Sequence, residues 1–143
     1  YTRPLSGSGN LTTRFPTVTF LCENCDVLSI HCYQPAEEMQ KFVDLMKTFN
    51  RPIFCTEYLA RPFGSTFETV LPVLKKDKVA AYDFGLVRGA MQCHYKWNKV
   101  DKDGNKIPYT EEPDPWFHDI LQPDGTPYRP AEVEFIKSMT GRD

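Results

Sequence analysis

The chain has 143 residues, 41% of them hydrophobic and 25% charged, and a formal net charge of −2. That is enough chain for one ordinary domain with a real core, and the balance is that of a globular protein. No basic excess exists to neutralise phosphates, so no nucleic-acid partner is expected. No apolar run reaches the roughly 18 residues a membrane span needs, so no membrane partner is expected either.

Tyr1-Thr2-Arg3-Pro4 is not a charged region followed by an apolar one, so it does not read as a signal peptide. Arg3–Ser6 is a short apolar-polar start that ends in the turn Gly7-Ser8-Gly9. Asn10–Asn24 is ambiguous; Pro16 can start a helix there and Asn24 can end one. Asp26–Tyr33 reads as a strand carried by Val27, Leu28 and Ile30 and stopped by Gln34-Pro35. Pro35 and the acids Glu37 and Glu38 then open a helix. Met39, Phe42, Val43, Leu45, Met46 and Phe49 continue it at helical spacing to Asn50.

Arg51–Arg61 is the stretch that organises the chain. Arg51-Pro52 suits a strand's first residues, and Ile53, Phe54 and Cys55 form an apolar run of the kind a covered strand shows. Glu57 follows directly, before Gly64 and Ser65 break the pattern. A carboxylate there can be a salt-bridged or solvated group, or it can carry chemistry. Ser65 or Thr66 caps the next helix, with Phe67, Val70, Leu71, Val73 and Leu74 on its apolar face. Pro72 inside it predicts a kink or a short first turn. Val79–Val87 reads as a third strand, 88–126 as a long loop, and Pro130–Thr140 as a last helix.

Five cysteines cannot all pair within one chain. Cys22 and Cys25 have C-x-x-C spacing, but no second ligand pair follows for zinc, and the motif precedes a strand instead of opening a helix. Asp101, Asp103, Asn105 and Glu112 imitate a calcium loop, but Lys106 stands where glycine is required and Pro108 falls inside it, so a hairpin turn is expected instead. His94 and His118 lack metal-ligand partners at fixed spacing and read as satisfied loop histidines. Gln92 and Tyr95 either line a cleft or pack the loop. No metal and no cofactor is expected.

Strand and helix alternate, which predicts an α/β fold with a parallel sheet. Parallel strands align their C-terminal ends. His31 and Tyr33, Glu57 and Tyr58, and Asp83 and Phe84 should therefore gather at one sheet edge, where such folds bind ligands.

These residues resemble a known family. Asp26-Val-Leu-Ser-Ile-His31-Cys-Tyr33, Arg51-Pro-Ile-Phe-Cys-Thr-Glu57-Tyr, Phe84-Gly-Leu-Val, Trp116-Phe-His-Asp119 and Asp124-Gly-Thr-Pro-Tyr128 look like the C-terminal half of a clan A retaining glycoside hydrolase of the cellulase-like or β-1,4-xylanase-like kind. The resemblance runs from about Thr2 to the end. It implies a partial TIM (β/α)8 barrel over residues 1–143, with Arg3–Ser6 as strand five, Asp26–Tyr33 as strand six, Ile53–Glu57 as strand seven and Val79–Gly85 as strand eight. It implies Glu57 as catalytic nucleophile, with His31 and Tyr33 beside it. The family commonly has Trp at the end of strand eight; Phe84 stands there, and Trp97 can substitute from the loop.

The family's acid/base is the Glu of an Asn-Glu pair on strand four, and no such pair occurs in this sequence. The resemblance thus implies a polysaccharide or oligosaccharide substrate and a chain inactive alone. A half barrel leaves sheet edges and one face uncovered, so a homo-oligomer or a missing N-terminal half barrel is expected as partner. For the complete protein the resemblance implies a secreted or periplasmic location. Two other readings stand beside it: a non-catalytic carbohydrate-binding or scaffold half barrel, and, more weakly, a phosphate-binding barrel, for which the glycine-rich segments are lacking.

Overall fold

A computed structural model describes residues 16–97 and 101–141. Arg3–Ser6, the expected strand five, lies outside them. The elements run α1 (Pro16–Asn24), β1 (Leu28–His31), α2 (Ala36–Lys47), β2 (Ile53–Glu57), a 3-10 turn at Arg61–Phe63, α3 (Phe67–Lys76), β3 (Ala80–Ala81) and α4 (Pro130–Thr140).

The strands form a parallel sheet in the order β1-β2-β3. One residue of pairing fixes which side chains face the helices. Leu28 and Ile30 on β1 and Ile53 and Cys55 on β2 are buried on that face, while Phe54 between them is exposed. Met39, Val43 and Met46 of α2 and Phe67, Val70 and Leu74 of α3 meet them in one core. These residues are spaced three and four apart, which puts each set on one helical face. Helix α3 packs between α2 and α4. On the other face Phe54 and Tyr82 are exposed and lie with ring centroids 6.1 Å apart.

The pairing of β1 with β2 contains a bulge. Ile30 stands opposite Cys55, but His31 stands opposite Glu57, so Thr56 is the extra residue. Its hydroxyl is used locally, 3.0 Å from Ser29 Oγ and donating to the Ile30 carbonyl at 3.3 Å.

The helix boundaries follow the sequence signals closely. Pro35 immediately precedes α2, and Thr66 caps α3 in a reciprocal box with Thr69. Helix α3 runs through Pro72 without ending. The third strand is shorter than Val79–Val87. Its ladder covers Ala80–Ala81, with one further bond from Tyr82 N–H to the Cys55 carbonyl at 2.8 Å. The chain then turns at Gly85, whose φ of +105° favours glycine. A Cβ there would also lie 2.7 Å from Asp119 Oδ1 and 3.2 Å from His118 Cβ. Val87 leaves the sheet and bridges to Leu121.

The long loop is not a loose excursion. Trp116, Phe117 and Ile120 are buried, and Trp116 stacks on Tyr128 at 4.2 Å. Asp101 and Asn105 close the expected turn: the Asp101 N–H donates to the Asn105 carbonyl at 2.9 Å, and Asp101 Oδ1 accepts from the backbone N–H groups of Asp103 and Asn105. Those contacts use the Asp101 carboxylate as a turn former.

Candidate functional site

The C-terminal ends of β1 and β2 bring three of the expected residues together. Glu57 is the last residue of β2, and the bulge sets it opposite His31. His31 Nδ1 lies 3.1 Å from Glu57 Oε2, an ion pair when the imidazole is protonated. The Tyr33 hydroxyl donates a short hydrogen bond to the same oxygen. His31 and Glu57 retain 17% and 22% side-chain exposure, so the carboxylate is sheltered yet reachable.

Burial is the largest cause raising the Tyr33 phenol above its usual value, and the carboxylate it bonds adds to this. Tyr33 therefore keeps its proton and can only donate to Glu57. Two partners on Oε2 hold the carboxylate in one rotamer. They leave Oε1 without a hydrogen bond among the described residues.

An aromatic wall stands beside this group. Trp97 is edge-on to Tyr33 at 5.1 Å and more than half exposed, so its indole presents apolar surface to solvent. Phe63 and Phe117 back Trp97 at 5.8 and 5.0 Å. Phe84, 40% exposed, does not touch Tyr33 directly; it reaches it through His118, which lies 5.8 Å from Phe84 and 5.4 Å from Tyr33. All five expected site residues thus belong to one neighbourhood. Tyr95 does not join it; it stacks on Tyr109 at 4.3 Å and packs the loop. Gln92 is exposed.

His118 was not legible as part of this neighbourhood. It is 3% exposed, and Nδ1 contacts the Leu59 carbonyl. Desolvation is the largest cause lowering its pKa, so at neutral pH it is chiefly the neutral imidazole. The other loop histidine, His94, is buried 3.4 Å from Asp119 Oδ2. The geometry is not that of a hydrogen bond, and both atoms lack a hydrogen-bond partner among the described residues.

Asp83, before Phe84, points elsewhere. It lines a cavity of about 430 Å³ under α3 and α4, with Tyr58, Phe67, Ile120 and Ile136 among the walls. Both carboxylate oxygens are shielded and make no well-aligned hydrogen bond among the described residues. Burial pushes the carboxyl up to about 7, against the nearby Phe84 backbone N–H, which acts to lower it. Among the described residues no cluster of His, Cys, Asp or Glu could hold a metal ion.

The family model described as the glycosyl hydrolase catalytic core matches residues 9–70, under half of the chain. The matched stretch contains His31, Tyr33 and Glu57 and supports a relation to glycosyl hydrolases. No curated protein and no solved structure matches the chain.

Proposed function

We propose that residues 1–143 are the C-terminal half of a retaining glycoside hydrolase catalytic domain, with Glu57 as its nucleophile. The observation that carries this reading is the pairing of Tyr33 and His31 on one oxygen of a strand-end carboxylate, within the stretch that matches a glycosyl hydrolase core. On this reading β1, β2 and β3 are strands six to eight of a (β/α)8 barrel, and the uncovered sheet face is the barrel's interior. Carboxylates at the C-terminal ends of barrel strands are where such folds do their chemistry.

The reaction is a double displacement. Glu57 Oε1 attacks the anomeric carbon, forming an ester bond as the glycosidic C–O bond breaks. A second carboxylic acid, about 5–5.5 Å away, protonates the leaving oxygen and then deprotonates the water that releases the sugar. Tyr33 and His31 hold Oε2 so that Oε1 is aimed. Phe84 and Trp97 offer apolar faces to the rings of a β-linked polysaccharide or oligosaccharide. On this reading the acid/base comes from an N-terminal half barrel that carries the Asn-Glu pair, and the isolated chain does not turn over ordinary substrate. The exposed Phe54–Tyr82 face is the surface such a partner would cover.

A 2,4-dinitrophenyl 2-deoxy-2-fluoro-β-cellobioside or -xylobioside tests this directly, because its leaving group departs without acid help. Intact-mass analysis is expected to show one glycosyl unit added, on Glu57, and none in Glu57→Gln. An adduct that persists in Glu57→Gln sinks the assignment. The second reading, a non-catalytic sugar-binding half barrel, is favoured by the contacts of Glu57, which among the described residues include no second carboxylate. Calorimetric binding of cello- or xylo-oligosaccharides with no adduct in the native chain would select it.

A further inference from the structure

We propose that His118 is a positioning residue for Glu57, acting through Tyr33; this deepens the nucleophile reading and rests on it. Tyr33 lies beyond the end of β1 at His31. The last bond between the two strands, from the Cys32 N–H to the Glu57 carbonyl at 3.0 Å, fixes the backbone only up to the residue before Tyr33, and side-chain packing sets the aim of the phenol. A hydroxyl-to-carboxylate bond weakens steeply with angle, so that aim matters. Among its ring neighbours, Trp97 at 5.1 Å is more than half exposed, whereas His118 at 5.4 Å is buried. The fixed wall behind Tyr33 is the imidazole.

His118 is itself fixed by the segment that carries Glu57. Its Nδ1 meets the carbonyl of Leu59, two residues past the carboxylate. A carbonyl only accepts, so Nδ1 carries the proton and the tautomer is set. Phe117 packs on the ring at 4.3 Å and Phe84 meets it edge-on at 5.8 Å. The loop backbone is held as well: Arg61 Nη1 donates to the carbonyls of Trp116, His118 and Asp119 at 3.2, 3.4 and 3.1 Å. A continuous path results, from the Leu59 carbonyl through the His118 ring to the Tyr33 ring, and from the Tyr33 hydroxyl to Glu57 Oε2. A ring needed only for packing could be Phe; the N–H is what ties this one to the end of β2.

The test is a double-mutant cycle on the fluoro-glycoside trapping reaction, with His118→Phe and Tyr33→Phe. His118→Phe is expected to slow adduct formation roughly 10-fold while the probe's dissociation constant stays within about twofold. In the Tyr33→Phe background the same change is expected to alter the rate by less than about twofold, because the hydroxyl it served is gone. Equal losses in both backgrounds, or a native rate in His118→Phe, overturn the proposal. The Tyr33 ¹³Cζ resonance reports the same hydrogen bond without chemistry. It is expected to move in His118→Phe toward its position in Glu57→Gln, and an unmoved resonance also overturns the proposal. If His118→Phe does not fold, His118→Asn keeps a donor near the Nδ1 position without the ring and is expected to show the same rate loss and resonance shift. A native chain that forms no adduct while its Tyr33 resonance responds as expected defeats the nucleophile reading and leaves the positioning contact standing.

Discussion

Arg61 and Glu132 form a two-point ion pair sealed from solvent. Nε reaches Oε1 at 2.8 Å and Nη2 reaches Oε2 at 2.6 Å, with the residues 5% and 3% exposed. The pair joins the segment after β2 to the first turn of α4. Removing one partner leaves a buried charge, so Arg61→Met and Glu132→Gln should each destabilise the fold by about 3–5 kcal/mol. Replacing both with apolar residues should cost less than the two single changes together. Urea unfolding of the three variants checks this, and single costs under about 1 kcal/mol would show the pair is not sealed.

Asp83 makes stability depend on pH in a direction opposite to most carboxylates. Burial raises its folded value to about 7, from the ordinary 3.8 of an exposed aspartate. Between those values the folded state holds a proton that the unfolded state releases. The stabilising effect of that proton is present in full below the unfolded value and is lost as pH rises through about 7. Asp83→Asn should therefore gain stability relative to the native chain at pH 8 and lose that advantage at pH 4. Denaturant midpoints at the two pH values are the measurement; a parallel shift at both would refute the buried-acid account.

Thr66 supplies the α3 cap, accepting from the Thr69 N–H while Thr69 Oγ1 accepts from the Thr66 N–H. Thr66→Ala should cost about 1 kcal/mol in thermal or urea unfolding, and Thr66→Asp or Thr66→Ser should restore most of it. A neutral Thr66→Ala would mean that tertiary packing alone holds the helix start.

On the proposed reading Trp97, 55% exposed beside Tyr33, offers its indole to a sugar ring. Trp97→Ala should weaken calorimetric binding of xylo- or cello-oligosaccharides roughly 10-fold, with a melting temperature within a few degrees of native. Unchanged affinity would remove the indole from the sugar surface.

The parts of the fold set by local signals were legible. Helix α4 starts at Pro130, because proline's fixed φ and missing donor suit a first turn, and α2 begins just after Pro35, which stands at its N-cap. The gathering of His31, Tyr33 and Glu57 at one sheet edge was legible too, since parallel strands align their ends, but the bulge at Thr56 that sets Glu57 opposite His31 was not. The third strand was overread. Val79–Val87 is apolar apart from Asp83 and Gly85, but Gly85 turns the chain and Leu86 accepts from the N–H groups of Ile120 and Leu121. Apolar residues that pair with a loop look the same in sequence as those that pair with a strand. Arg61–Glu132 and the seat of His118 were invisible for a different reason: their partners lie 71 and 59 residues away, with no spacing rule to join them. One signal was available. Trp116 and Phe117 are too large and apolar to float in a loop, so the histidine beside them had to be near the core.

Thr56 is a counting device. By occupying one place in β2 that β1 does not match, it turns Glu57 onto His31. The site therefore depends on the number of residues in Ile53–Glu57 as well as on their kinds. Side chains along this strand can drift in identity while the carboxylate stays aimed, but losing or gaining a single residue before Glu57 would rotate it away from both of its partners at once. Substitution is the tolerated form of change here, and insertion or deletion the forbidden one.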